Sequence, residues 1–524
     1  MALELVRDLI RIDQVMGEEV TQAMVEGDVV VPDSKPDVDK ILSVNGWVVI
    51  TDKEVVEDRI ILEGAVNVKT LYISREGDQP LYYMEGSFGF TQQIELSGIN
   101  SRMDAEVHAE IEHLDCTTVN SRKLNAKCVL NFSGKVVDRS QIDVIKDVKG
   151  VQDIQVLRDY VEVSDTIGEN SSHATVRQEF QIPADQPAVK EILKTDVVIG
   201  EREERIAEDR LNVHGVLKIT TLYVGEGEDS SINTVKYQIP FSHYVDIPGA
   251  IPGMSQRVKY SIEDFYSTVR ENEEGLRRNI EYEVVVKAEG KVEAVQQMEI
   301  LVDAYSPTVN LNVRKSSLKL KKTLDSIVEE IVVKEEIDLP GNCPGVVEVC
   351  DIEAVPVLTD FGISDDCIVI EGLLCVKVLY VTENYEYKLY LYEDEIPFRH
   401  TAELPEYGCQ MDVDVDLYLE DFQYRTLSPD LLEIKGRVKV QANVSKSFSK
   451  EVLMDVEEAA EAEVRPGASI VVYVVQPGDT LWKVAKKYST TIEELVKINE
   501  LEEPDKLVPG QKLIISRTVK YQLS

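Results

Sequence analysis

The sequence predicts a mainly β chain: three tandem antiparallel domains of sandwich or barrel type, followed by a small βααβ module. Three observations carry this. First, at 524 residues the chain exceeds what one core can hold. Second, one segment occurs three times. Leu62-Glu63-Gly64-Ala65-Val66-Asn67-Val68-Lys69-Thr70-Leu71-Tyr72 returns as Val213–Tyr223 and again as Ile370–Tyr380, at shifts of 151 and then 157 residues. The same shifts align Pro32 and Pro36 with Pro183 and Pro187 and with Pro340 and Pro344; they also align Phe90 with Phe241 and Phe398, and the first shift takes Gly17 to Gly168. Third, apolar residues alternate with period two through the repeats and switch to helical spacing only near the C-terminus.

The repeats run about 4–145, 155–303 and 312–453. A period near 150 is the size of a self-sufficient domain, so beads on a string are expected, joined by short charged junctions such as Val137–Asp153. The Pro-x-x-x-Pro segment is expected to open a short helix, because Val38, Ile41 and Leu42 have helical spacing, as do Val189, Ile192 and Leu193. Arg59–Leu62 and the Val66/Val68/Leu71 alternation read as strands, and Arg75-Glu76-Gly77-Asp78 reads as a hairpin turn with a counterpart at Gly225–Asp229. Val284–Val286, Asp412–Leu419 and Lys435–Val440 supply later strands, the second with acidic residues out and apolar residues in. With this proline start and Gly-x-x-x-x-x-x-Leu-Tyr centre, the repeats resemble the SPOCS domain of spore-forming bacteria. The third copy departs most, with Glu406 where the others have Gly98 and Gly249.

The last module, 471–517, is read residue by residue. Val472–Val475 is a first strand and Pro477-Gly478 a turn; Asp479 or Thr480 caps a helix whose inner face is Leu481, Val484, Ala485 and Tyr488. Thr491 with Glu494 forms a capping box for a second helix, with Ile492, Leu495 and Val496 inward and Asn499 at its end. Pro509-Gly510 turns into the last strand, Lys512–Ile515. The run Gln476-Pro477-Gly478-Asp479-Thr480-Leu481-Trp482 and the closing Leu507-Val508-Pro509-Gly510-Gln511 resemble a LysM module. The resemblance implies a shallow groove with Gly478, Asp479, Thr480 and Leu481 on one wall and Leu507, Val508 and Pro509 on the other. It would serve N-acetylglucosamine oligomers or peptidoglycan, or be used for a protein. Equally, the glycines and proline act as turn-makers, with Leu481 and Trp482 as core.

The net charge is −40, and it resides in the body, since residues 471–517 hold seven basic and seven acidic side chains. Such a surface repels nucleic acid and anionic membranes. The acidic linker, 455–470, contains Glu457, Glu458, Glu461 and Glu463, whose repulsion is expected to hold the last module away from the body. No apolar run suits a secretory leader or a membrane span, so a cytoplasmic protein is expected. Seven cysteines, five of them in the third repeat, lack CxxC spacing and read as small buried hydrophobes. His243 and His400 share a repeat position with Gln92 and read as strand surface; His108 and His113, five apart, are expected on opposite strand faces. No Walker A, GxGxxG, GxSxG or HExxH segment occurs, so no enzyme, metal or cofactor is expected.

The order of repeats and LysM resembles spore-coat morphogenetic proteins. That likeness implies a non-enzymatic assembly scaffold of the mother-cell cytosol, recruited to the forespore surface. The implied partner is stage IV sporulation protein A, the ATPase of the coat's basal layer. A peptidoglycan-binding wall or cortex protein is the alternative. A cortex hydrolase with a LysM anchor is a third reading, which no motif supports.

Overall fold

The computed structural model describes residues 3–151, 153–227, 231–364, 367–383, 387–404, 411–459, 470–501, 503 and 506–516, the side chains of 9–14 and 139–141 excepted. The first repeat runs β1 (Glu4–Val30), β2 (Lys40–Val56), β3 (Arg59–Ile73), β4 (Tyr82–Glu95), β5 (Asp104–Asn120) and β6 (Lys123–Lys149). The second runs β7 (Gln155–Gln181), β8 (Val189–Ala207), β9 (Arg210–Gly225), β10 (Ile232–Asp246), β11 (Ser255–Glu271) and β12 (Arg277–Tyr305). The third runs β13 (Leu311–Asp338), β14 (Glu348–Ser364), β15 (Cys367–Val381), β16 (Leu389–Glu403), β17 (Asp412–Ser428) and β18 (Leu431–Glu458). Each repeat forms two three-stranded antiparallel sheets, ordered β1-β6-β5 and β2-β3-β4 in the first. In the first repeat alternate side chains of the two sheets meet in one core, as the period-two pattern requires; in the second the buried residues form two clusters.

Two repeated landmarks become single devices. Tyr72, Tyr223 and Tyr380 are fully buried, and each phenol donates to the carbonyl of the second proline, Pro36, Pro187 and Pro344, at 3.0, 3.1 and 2.8 Å. Each bond ties the segment before β2, β8 or β14 to the central strand of its sheet. Burial pushes the Tyr72 and Tyr223 hydroxyls up to about 12. Gly64, Gly215 and Gly372 lie directly across from Phe90, Phe241 and Phe398. A Cβ on these glycines would stand 2.5, 2.7 and 2.5 Å from the phenylalanine rings, so ring and glycine specify each other.

The expected helix after Pro-x-x-x-Pro does not form. A turn follows Pro32, closed by Lys35 N to Pro32 O at 2.9 Å, and β2 starts at Lys40. The spacing misled because both faces of β2 are apolar: Ile41 joins the core of its own repeat, while Leu42 joins a cluster shared by all three. That cluster also overturns beads on a string. Leu71, Leu222 and Leu379, which correspond under the repeat shifts, are buried together with Leu81 and Leu389. Strand β4 packs on β8, β10 on β14 and β16 on β2, so the repeats close into a pseudo-threefold ring.

The other end of the ring is closed by the long strands. The expected junction Val137–Asp153 belongs largely to β6, and Ile145 and Val148 lie in a cluster with Leu301, Ala304, Leu453 and Val456. The same bulge recurs here three times, in the pairings of β1 with β6, β7 with β12 and β13 with β18. It presents Asp147, Asp303 and Asp455 to a base from another repeat: Arg158 at 2.9 Å, Lys315 at 3.4 Å and Arg7 at 3.6 Å. Each repeat thus takes one ionic link and offers another.

A bulge also corrects the histidines. The β5–β6 register skips between Ile111 and His113, which returns His113 to the exposed face that carries His108. His243 and His400 are half-buried rather than surface residues, and His400 Nε2 contacts the Glu329 carboxylate.

Candidate functional site

The C-terminal module has β19 (Ile470–Val474), α1 (Leu481–Tyr488), α2 (Ile492–Asn499) and β20 (Lys512–Ser516), with β19 and β20 antiparallel. Thr480 caps α1 by accepting from Lys483 N at 3.2 Å, and Thr491 caps α2 by accepting from Glu494 N at 3.1 Å. The predicted capping box is half made, because the Glu494 carboxylate accepts from the Thr490 hydroxyl at 2.6 Å. Asn499 ends α2 and locks it to β20, donating to Ile514 O at 2.8 Å and accepting from Ile514 N at 2.6 Å.

The two turns named by the sequence are brought side by side. Val475 N donates to Gln511 O and Gly510 N to Val475 O, both at 2.9 Å. Gly478 has φ +83°, a left-handed conformation suited to glycine. Asp479 Oδ2 accepts from Tyr473 Oη at 2.5 Å and Gln476 N at 2.8 Å, and these bonds hold its carboxyl below the usual range. Gly478, Thr480, Val508 and Pro509 are exposed, Val508 at 64 %, while Leu507 is half-buried. Leu481 is buried in the module's core.

Sequence reasoning missed the surface opposite in role. The module is not held away from the body. Trp482 and the body's Asp303 are both buried, and Trp482 Nε1 donates to Asp303 Oδ2 at 3.0 Å. Lys486 Nζ donates to both carboxylate oxygens, at 2.6 and 2.8 Å. Tyr305, the last residue of β12, donates to Thr490 O at 2.9 Å and meets the Trp482 ring edge-on at 4.9 Å. Burial pushes the Asp303 carboxyl up, but the bonds from Lys486 and Trp482 outweigh it and hold it below the ordinary range. Repulsion in the linker does not decide the geometry, because a buried, charge-assisted contact outweighs exposed, screened charges. Residues 455–458 continue β18, and 460–469 lie outside the described residues.

Two further groups of titratable side chains are accounted for by their surroundings. Asp196, Asp351 and Glu353 place carboxylate oxygens within 4.8 Å of one another, but Lys194 Nζ sits among them, 2.7 Å from Asp196 and in contact with Glu353. The place a cation would take holds an ammonium. Burial pushes the thiols of Cys116 and Cys128 up to about 11 and that of Cys350 up to about 12, which removes thiolate character at neutral pH. Cys409 and Glu406 lie outside the described residues.

Comparison with known proteins agrees with this architecture. The family model "SipL, SPOCS domain" matches three times, at residues 37–119, 188–270 and 345–427, and the LysM domain model matches 473–516. SpoIVD-associated factor A of Bacillus subtilis is 46% identical over 43 residues, 8% of this chain and 11% of that protein. Spore coat assembly protein ExsA of Bacillus cereus is 49% identical over 43 residues, 8% of this chain and 7% of that protein. The probable endopeptidase p60 of Listeria grayi is 52% identical over 50 residues, 10% of each chain. The chain therefore spans only about a tenth of these relatives. No solved structure matches, and among the described residues no helix is long and apolar enough to cross a membrane. Three SPOCS domains and a C-terminal LysM domain make this chain a SPOCS-repeat protein of the SipL type.

Proposed function

We propose that this chain is a non-enzymatic scaffold of spore-coat assembly, built to present one LysM surface to the coat's basal-layer ATPase, stage IV sporulation protein A. The observation that carries the reading is the docked LysM domain. Its Trp482 face is engaged by the body, while Gly478, Thr480, Val508 and Pro509 of its two turns stay open to solvent. A rigid body with one oriented, exposed site suits recruitment, since little orientational freedom remains to be lost on binding. Two relatives, named as a spore-coat assembly protein and a SpoIVD-associated factor, support the coat setting. The closed ring of three domains offers further contacts around its rim, and the mother-cell side of the forespore is where such a scaffold would act.

A second reading, binding of peptidoglycan through the same turns, is favoured by the likeness to p60 endopeptidases and to a cortical fragment-lytic enzyme. Full-length protein would be offered purified cortex peptidoglycan and stage IV sporulation protein A side by side. The scaffold reading expects capture of the ATPase, weakened at least about tenfold by Val508→Asp, a substitution that puts a charge in the apolar wall. Capture of peptidoglycan alone would sink it in favour of the second reading.

A further inference from the structure

We propose that the open cavity between the three repeats receives a cationic, apolar-bearing polypeptide segment of a partner protein. This site is separate from the LysM turns and goes beyond the function above. The cavity measures about 2330 Å³ and draws its walls from all three repeats. That exceeds the few hundred to about 1,000 Å³ typical of small-molecule sites and suits a stretch of polypeptide.

Its walls combine two chemistries. Trp47, Val198 and Val355 correspond under the repeat shifts and sit in the middle of β2, β8 and β14. They line the cavity yet remain 46%, 47% and 55% exposed. Phe265 and Tyr266 add exposed aromatic surface from β11. Large apolar side chains left open at equivalent places mark a binding surface rather than scattered exposure. Between them, thirteen carboxylates face five lysines.

Those lysines are largely engaged already. Lys194 sits among Asp196, Asp351 and Glu353, Lys69 pairs with Glu85 at 2.9 Å, Lys377 pairs with Glu393 at 2.9 Å, and Lys218 donates to Glu420 O. The remaining field is negative and is focused by low-dielectric walls. Anionic ligands are repelled, and a neutral apolar one would leave the net negative charge of the walls uncompensated. A segment alternating basic and apolar residues satisfies both chemistries. An extended segment would set alternate side chains against opposite walls.

The two tryptophans make the test direct. Trp482 is buried at the LysM contact, so changes in quencher access report on Trp47 in the cavity. The probe is an N-acetylated nine-residue peptide alternating lysine and leucine, with a dye at its C-terminus. A peptide with glutamate for lysine is the control. Both are titrated against the full-length protein. Expected is salt-dependent binding of the lysine peptide alone, with a blue shift of Trp47 emission and at least about twofold less acrylamide quenching. Glu112→Lys with Asp115→Lys, both exposed on the cavity wall, should weaken binding about tenfold. Glu493→Lys with Glu500→Lys, in the first turn of α2 and just past its end, should leave it unchanged. The proposal is overturned if no lysine peptide binds or if the glutamate peptide binds equally. It is also overturned if binding leaves Trp47 unaltered, or if both charge reversals weaken it alike.

Discussion

Tyr72, Tyr223 and Tyr380 each direct their only hydroxyl to a proline carbonyl inside the protein, Tyr223 reaching Gln186 Oε1 at 3.3 Å as well. Removing it by Tyr72→Phe leaves Pro36 O without that donor and should cost about 1 kcal/mol in urea unfolding. Gly64→Ala should cost more, about 1–3 kcal/mol, because the new methyl meets the Val49 carbonyl as well as the Phe90 ring, and backbone cannot step aside. Asp303 is the residue on which the LysM position depends. Asp303→Asn keeps the shape and removes the charge that Lys486 and Lys315 face, and should weaken docking by about 1–3 kcal/mol. Hydrogen exchange of α1 would report it. Because the docked carboxyl is held below its free value, docking should be constant at neutral pH, present above the ordinary carboxylate range, and lost as pH falls through the depressed value. The repeats made the tyrosines, prolines, glycines and phenylalanines legible as landmarks. Their pairing was not, because nothing in a linear pattern says that residues thirty-six apart share a hydrogen bond.

At the scale of elements, period two in the sequence read out as strands, and a three-to-four spacing read out as helices only in 481–499. The pattern failed where a strand is apolar on both faces, as β2 is with Ile41 and Leu42. It failed again where a bulge shifts the count, as between Ile111 and His113. The LysM turns were legible because glycine and proline signal them locally. The docking face was not, since Trp482 looks the same in sequence whether it packs inward or against another domain. The end of β12 explains the choice of repeat. Tyr305 stands where β6 has Lys149 and β18 has Glu457, and only an aromatic residue can meet the Trp482 ring there. Tyr305→Lys should therefore free the LysM domain while leaving the three repeats folded, seen as greater acrylamide access to Trp482 with unchanged far-ultraviolet dichroism.

Over the whole molecule, closure makes the three domains interdependent. Leu193 is fully buried in the cluster to which all repeats contribute. Leu193→Ala should cost about 2–4 kcal/mol. Calorimetry should show one transition for the three repeats, displaced as a unit; three separate transitions, with only one displaced, would contradict the ring. Neither the ring nor its ionic links could be read from the chain, because Arg7 and Asp455 lie at opposite ends of the repeats and their neighbourhood exists only after closure.

Closure of β16 upon β2 also has a consequence at the ribosome. The first repeat's β2–β4 sheet is complete at Glu95, but the strand that shields its flank ends at Glu403. At about 5–20 residues per second, the interval is roughly 15–60 s. Throughout it the cluster of Leu42, Leu71, Ile73 and Leu81 would be covered only in part, by Leu193, Leu222 and Val224 of the second repeat. The vulnerable period of this protein is therefore its own synthesis, and a chaperone that holds emerging β sheets would matter more to its yield than to its finished stability.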